Sequence, residues 1–390
     1  MSRSTLPTAR QNPFDPPQEL RLWQAEGPIR PMTYADGHQG WLVTGYAATR
    51  AVLGDPRFSV RSELAHSPLA KPTSLSVPPG FFLRMDPPEH TRYRRLLTGE
   101  FTVRRMKALE PRIEAIVADQ LALMERHGSP SDLVEDFALP IPSLVICELL
   151  GVSYQDREKF QRDSAMLLNV EAEPKRRETA FADLMTFLSE LAVRKRAEPE
   201  DDLLSGLAAQ RDLTEQELAG IAFLLLIAGH ETTANMLALG TFALLSNPAR
   251  LAALRDAGPE AVAASVEELL RYLSVLFHVV RVALEDVEVE GRTIKAGESV
   301  TLYLAQANRD AERFAAPEEL DLTHSVAGHL AFGYGIHQCL GQQLARVEMR
   351  IAYPALLRRF PGLRLAVGSE EVPLRTDMAI YGVHALPVAW

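Results

Sequence analysis

The sequence predicts a mainly α fold with a smaller β portion, arranged as a single domain over residues 1–390. Three observations predict it. Apolar residues recur at spacings of three and four from about 88 to 275 and again from about 340 to 359. Stretches at about 20–60 and 280–325 instead alternate apolar and polar residues between turn formers. No repeat of about 20–50 residues and no low-complexity linker divides the chain.

Composition narrows the function classes. With 47% hydrophobic and 24% charged residues there is ample material for a core. A net charge of -10 and a pI near 5.6 argue against nucleic acid as a main partner, because phosphate binding needs dense Lys and Arg. The N-terminal "MSRSTLPTARQNPFDPP" lacks the apolar core of a signal peptide. No run is read as reaching the roughly 18 apolar residues of a membrane span. The expectation is a cytoplasmic protein without a membrane partner.

Taken in order, the first 60 residues mix Pro, Gly and aromatics with short runs such as "GWLVTG", which suits loops and a few strands. "RRMKALEPRIEAIVADQLALMERHG" has helical spacing closed by a glycine. Cys147, in the apolar "IPSLVICELL", reads as a small buried hydrophobe. "DLTEQELAGIAFLLLIAGHETTANMLALGTFALLSNPAR" opens with Thr214 and Glu217 in capping-box spacing and predicts about 32 helical residues, apolar nearly all round, crossing the core. "RVALEDVEVEGRTIKAGESVTLYLA" predicts strands and a hairpin, and "YGVHALPVAW" a short strand pair or loop.

Two places carry chemistry. Inside the long helix stand Gly229, His230, Glu231, Thr232 and Thr233, where a mid-helix glycine costs about 1 kcal/mol relative to Ala. Gly229 would let a flat ligand approach the backbone, and a Thr hydroxyl bonding back a turn would loosen the ladder. An acid beside an alcohol can relay protons there. His230 reads as a packed side chain.

The second place is "HLAFGYGIHQCLGQQLAR", with Cys339 just before the helical spacing of Leu340, Leu344, Val347 and Ile351. A helix N-terminus favours a thiolate, and Gly333, Gly335 and Gly341 permit a tight turn with room for something broad. Structural zinc is excluded by the lack of a partner cysteine. A nucleophile with His337 as base, a redox thiol and a ligand to haem iron remain open, and the glycines with the interrupted helix fit haem better.

At this point the residues resemble a known family. "FGYGIHQCLG" is similar to the cysteine-ligand loop of the cytochrome P450 haem-thiolate mono-oxygenases, with Phe332, Gly333, Gly335, His337, Cys339 and Gly341 each in place. "AGHETT" resembles the family's oxygen-activation helix through Ala228, Gly229, Glu231, Thr232 and Thr233, and "EELLR" resembles its Glu-x-x-Arg pair through Glu268 and Arg271. "DPPEHTRYRR" resembles the segment whose His and Arg, here His90 and Arg94, bind haem propionates, and "HVVRVALED" places Arg281 as a further propionate partner. The likeness runs from "DPRFSVRSELAHSPL" through "ANRD" to the C-terminus, and its wording is that of the actinobacterial class I group that hydroxylates macrolides, polyenes, statin precursors and steroid-like molecules such as vitamin D.

The resemblance implies haem b between the long central helix and the cysteine loop, with Cys339 as the metal ligand. His337 becomes a propionate partner rather than a base. Ala228 and Gly229 would border the O2 groove, Thr232 would hold a water there, and Glu231 with solvent would supply protons. Electrons would come from NAD(P)H through separate reductase and ferredoxin proteins, since the chain has no Gly-x-Gly-x-x-Gly loop and no cysteine set for an iron-sulfur cluster. Arg92, Arg95, Arg104, Arg105, Lys107, Arg346 and Arg350 are basic candidates for receiving an acidic ferredoxin. By family position the loop at 62–82, Leu225, Leu276, Phe277, His278, Val280, Met378, Ile380 and Tyr381 would line an apolar substrate pocket. The implied reaction is hydroxylation or epoxidation of a mostly apolar secondary metabolite by a monomer. A peroxide-driven haem-thiolate enzyme and a non-catalytic scaffold are the alternatives. One departure stands out: "APEEL" puts Glu319 where the family has a cation joining the Glu-x-x-Arg pair, so Arg313 or His324 is expected to supply the third partner.

Overall fold

The computed structural model describes residues 5–69, 77–153, 156–210, 212–323 and 326–390. In chain order they form α1 (Gln18–Glu26), β1 (Ile29–Thr33), β2 (Gln39–Val43), α2 (Tyr46–Gly54) and β3 (Phe58–Ser59). Next come α3 (Glu89–Thr98), α4 (Val103–His127), β4 (Ser131–Asp132), α5 (Pro140–Leu150), α6 (Arg157–Leu168) and α7 (Pro174–Ala197). Then follow α8 (Leu203–Ala208), α9 (Glu215–Leu245), α10 (Pro248–Arg255) and α11 (Pro259–Leu273). The chain continues through β5 (Val279–Ala283), β6 (Val287–Val289), β7 (Arg292–Ile294), β8 (Ser299–Leu302) and α12 (Leu304–Ala307), and ends with α13 (Gln342–Arg359), β9 (Arg364–Leu365) and β10 (Pro387–Ala389). The fold is mainly α with a smaller β portion, as the spacing predicts.

The residues fall into two compact units, one drawn from 1–74, 84–86 and 260–340, the other from 75–83, 87–259 and 341–390. In the first, a five-stranded sheet runs β1-β2-β8-β5-β3, antiparallel except for the parallel β2-β8 pair. Its apolar residues and those of α2 share one cluster that includes Val43, Val52, Leu53, Val300 and Leu302. The hairpin read from "VEVEGRTI" forms as β6-β7, with Glu290 (φ 46°) and Gly291 (φ 69°) both left-handed in its two-residue turn.

Two expectations need correction here. Residues 20–60 were expected to hold only loops and strands, but α1 and α2 lie there; each is nine residues long, too short to show a sustained helical period. The β portion expected to reach 325 ends at Leu302, after which α12 and turns take over.

In the second unit α9 is the central element, packed by α5, α7 and α13. Its N-terminus is the capping box read from the sequence: Thr214 Oγ1 accepts from the Glu217 backbone N–H at 3.2 Å, and Glu217 Oε2 accepts from the Thr214 N–H at 2.7 Å. The 31 residues of α9 span about 46 Å. An 18-residue window of α9 reaches a mean hydropathy of 1.3, so by length and composition it could cross a membrane, contrary to the expectation that no run would; 78% of that window is buried inside the protein. Near its C-terminal end Gly240 leaves room for Tyr353 of α13, whose hydroxyl donates to the Met236 carbonyl; a Cβ on Gly240 would stand 2.0 Å from that oxygen.

Candidate active site

The first unit builds the cysteine loop on two supports. The loop closes on itself where the Cys339 N–H donates to the Phe332 carbonyl at 2.8 Å and the Gly333 N–H to the Leu330 carbonyl at 2.9 Å. Gly333 (φ 69°) and Gly335 (φ 76°) take left-handed backbone there. A Cβ on Gly335 would meet the Leu53 carbonyl at 2.5 Å, so the C-terminal end of α2 is the seat of the turn. Arg50 of α2 stacks on Tyr334 with its guanidinium 4.4 Å from the ring centroid. Cys339 itself is exposed and not disulfide-bonded, whereas Cys147 is buried in α5 as expected. Phe332 and His337 are half-buried.

The second support is the Glu268–Arg271 pair of α11, both residues about 98% or more out of solvent. Arg271 Nε and Nη2 donate to the two carboxylate oxygens of Glu268 at 2.7 and 2.8 Å. Its remaining hydrogens go to backbone carbonyls of Asn308 (2.9 Å), Pro317 (2.9 Å) and Glu319 (3.0 Å), and Glu268 Oε1 also accepts from the Asp321 N–H at 3.0 Å. The expected third side chain is therefore replaced by main chain. Glu319 is exposed and offers only its carbonyl, and Arg313 donates to Ala327 O instead of joining the pair. His324, the other candidate, lies outside the described residues. Asn308 carries the network onward, its Oδ1 accepting from the Leu330 N–H at 2.7 Å just before the cysteine turn.

On β5, Arg281 stands opposite Val300, and its Nη1 donates to the Val280 carbonyl at 2.9 Å. Burial, then repulsion from Arg84, pushes its pKa down to about 10, with Asp86 offsetting part of this. Arg84 is likewise depressed by the protein packed around it. Burial and then Arg84 push His278 down to about 4. Asp86 is itself held to β3, accepting from Ser59 Oγ at 2.6 Å and the Val60 N–H at 3.0 Å.

The second unit supplies the remaining candidates. His90 is buried and Arg94 half-buried, one turn apart on the same face of α3. Along α9, Ala228 is exposed and Thr232 half-buried while most of the helix is buried, and Thr232 Oγ1 donates to the Ala228 carbonyl at 3.0 Å. The hydroxyl bonds back one turn, as its spacing predicts, but α9 runs unbroken through this turn, so the expected interruption of the helix is not there. At Gly229 a Cβ would meet Ile146 of α5 at 2.9 Å, so its missing side chain serves helix packing. His230 is packed, its Nδ1–H donating to the Leu226 carbonyl at 2.7 Å. Glu231 is buried and forms an ion pair with Arg375, Nη2 to Oε2 3.0 Å.

The expected pocket residues divide between the units. Leu276, His278 and Val280 are half-buried and Phe277 buried in the first; Leu225, Met378, Ile380 and Tyr381 are buried in the second. Residues 70–76 of the expected loop at 62–82 lie outside the described residues. Arg92 and Arg105, expected on a docking face, are engaged by Glu217 and Glu100. Sequence reasoning missed Arg84 and Arg375, because nothing local marks them: one is recruited by Asp86 bonding to β3, the other by the path of the C-terminal loop.

Haem is the cofactor that the resemblance implies, and the residues fit it. Arg84, Arg281 and His278 crowd one region with less negative charge than they need, which suits carboxylate groups arriving with a ligand. An exposed thiol on a rigid turn is a residue that would hold haem iron.

Comparison with known proteins agrees. The family model "Cytochrome P450" matches residues 175–377. Cytochrome P450 105C1 of a Streptomyces species is 51% identical over 388 residues, covering 99% of this chain and 98% of its own. A vitamin D3 dihydroxylase of Streptomyces griseolus is 43% identical over 99% of this chain and 96% of its own. The crystal structure of CYP105P1 in complex with filipin I superposes with a TM-score of 0.94 at 43% identity, covering 100% of this chain and 99% of that one. With a thiolate loop, an acid–alcohol helix and relatives aligned along nearly all its length, the chain belongs to the cytochrome P450 family and is a mono-oxygenase of it.

Proposed function

We propose that this mono-oxygenase hydroxylates or epoxidises a mostly apolar secondary metabolite, of macrolide, polyene or steroid-like size, with electrons that pass from NAD(P)H through a reductase and a ferredoxin. When bound, haem supplies the redox chemistry that activates O2 with external electrons. The chain's residues hold and serve it. Cys339 would be its thiolate ligand, Phe332 and Gly333 would shape the turn that presents the sulfur, and His90, Arg94, Arg281 and His337 would take its propionates, with Arg84 added to that set. Ala228 would leave space beside α9 for O2, and Thr232 would hold a water there. Glu231 carries protons inward. Gly229 gives α9 its close packing on α5. Arg95, Arg104 and Lys107 are exposed cations of the kind an acidic carrier would meet.

The observation that carries this reading is Cys339, an exposed thiol in a turn whose shape is fixed by two left-handed glycines and by a hydrogen bond from its own N–H. Half-buried Leu276 and Val280 support an apolar substrate, and His278 and Tyr381 would orient a hydroxyl on it. The names of the relatives, a vitamin D3 dihydroxylase and a filipin I complex, agree with such a class.

The test has two parts. Cys339→Ser is expected to abolish the red-shifted Soret band of the ferrous carbon monoxide complex; an unchanged spectrum overturns the thiolate assignment. Product analysis over a panel of macrocycles and steroids, with ferredoxin, reductase and NAD(P)H, is expected to give oxygenated product. Turnover with hydrogen peroxide but not with NAD(P)H, ferredoxin and reductase would favour a peroxide-driven enzyme, and no product under any condition would favour a scaffold.

A further inference from the structure

Within the second unit the segment 374–383 folds back on itself, and its two ends are held differently. Its base closes where Leu374 and Val383 form a β-bridge and the Arg375 N–H donates to the Gly382 carbonyl at 2.9 Å. Gly382 lets that base sit on α9, since a Cβ there would collide with the Asn235 side chain. The tip instead meets the end of α6. Asn169 and Met378 form an antiparallel bridge flanked by two bonds, from the Val170 N–H to the Asp377 carbonyl and from the Ala379 N–H to the Leu168 carbonyl, both 2.9 Å. Two backbone bonds make a marginal junction by themselves.

Asp377 adds a clasp across that junction. Its Oδ2 accepts from Asn169 Nδ2 at 3.1 Å, and its Oδ1 accepts from His384 Nε2 at 2.7 Å. The Asn169 amide is not free to turn, because its Oδ1 accepts from the Glu171 N–H at 2.9 Å. One carboxylate thus joins the turn after α6 to the return arm of the segment. Burial alternates along the tip: Asp377 and Ala379 are half-buried, whereas Met378 and Ile380 are buried. The clasp faces outward while the apolar side chains turn into the protein.

We propose that Asp377 is a specificity-determining residue that acts through position: by clasping the tip to the end of α6 it fixes where Met378 and Ile380 stand, and so how bulky an apolar molecule is held beside them. The proposal rests on the reading of Met378 and Ile380 as pocket residues and adds what holds them in place. Because the base is fixed on α9, slack in the clasp is taken up at the tip. A small ligand that does not reach the tip is indifferent to that slack, and a bulky one that presses on the tip is not.

The holoenzyme tests this with two azoles that bind haem iron through an imidazole nitrogen and shift its Soret band, the small 4-phenylimidazole and the bulky clotrimazole. Asp377→Ala is expected to raise the dissociation rate of clotrimazole about tenfold and that of 4-phenylimidazole less than about twofold, because only the ligand that loads the tip feels the loss of two charge-assisted bonds. Asp377→Asn keeps one acceptor and is expected to fall between. Asn169→Ala is expected to raise the clotrimazole rate too, with the double variant no worse than Asp377→Ala, since both remove one clasp. Hydrogen exchange at the Ala379 amide is expected to quicken in each, a readout independent of haem. Should Asp377→Ala not fold, Asp377→Asn and Asn169→Ala decide. Equal changes for both azoles, or Asn169 and Asp377 effects that simply add, would mark a general loss of packing and overturn the assignment. Met378→Ala and Ile380→Ala separate the two readings. A raised clotrimazole rate in these variants with no change in Asp377→Ala overturns the clasp and leaves the pocket reading standing, whereas no change in the Met378 and Ile380 variants overturns the pocket reading and this inference with it.

Discussion

The hydroxyl of Thr232 donates to the Ala228 carbonyl one turn back, where Ala228 is open, while α9 stays continuous. Replacing it removes a hydrogen-bonding anchor. Thr232→Ala is expected to keep the cysteine-dependent spectrum and to divert reductant from product to released peroxide by tenfold or so, assayed as peroxide formed per NAD(P)H consumed; unchanged coupling would remove Thr232 from the relay. Residues of this kind were legible because their chemistry is local: an acid next to an alcohol, and a cysteine among glycines. Arg84 and Arg375 were not, since their partners lie far away in sequence. At Gly229 the packing role was not legible. A sequence shows that a Cβ is missing, not that Ile146 occupies the space it would need.

Among elements, the cysteine loop depends on a relay through α11 and the segment after α12: Glu268 fixes Arg271, Arg271 fixes the Asn308 carbonyl, and the Asn308 side chain fixes Leu330. Breaking the buried ion pair would cost about 3–5 kcal/mol and endanger folding. Asn308→Ala is gentler. It is expected to leave the fold intact while shifting part of the carbon monoxide complex away from the thiolate band, because the loop loses a tether but keeps its own turn. A different constraint joins α9 to α13. Gly240→Ala would push against the Tyr353 hydroxyl and is expected to cost about 1–3 kcal/mol in denaturant unfolding. Tyr353→Phe removes that oxygen, so the double variant is expected to be less destabilised than the sum of the two singles. Helix ends such as that of α9 were legible from capping residues. The short helices α1 and α2 were not, although α2 proves to be the seat of the cysteine turn.

For the whole molecule, two groups, one in each unit, contribute to the response to acid. His278 is held neutral by burial and by Arg84, so the unfolded chain takes up its proton near the ordinary 6.5 while the folded protein resists until about 4. Stability falls as pH drops through that window. Burial alone would raise the pKa of Glu217, but Arg92, Tyr93 and Thr214 outweigh it and bring it from 4.5 to about 2. Its contribution is full above about 4.5 and is lost as pH falls toward 2. The thermal midpoint is expected to decline in both ranges, with His278→Gln flattening the first; a midpoint constant from pH 7 to 4 would contradict this.

The three carbonyls around Arg271 bear on how such a chain can diverge. What the guanidinium needs is the course of the peptide past residues 308, 317 and 319, and a carbonyl is supplied by any amino acid. Lineages are therefore free to exchange the side chains at 317 and 319 so long as the turn keeps its course. A column-by-column alignment would score the third partner as lost in a descendant whose fastening is intact.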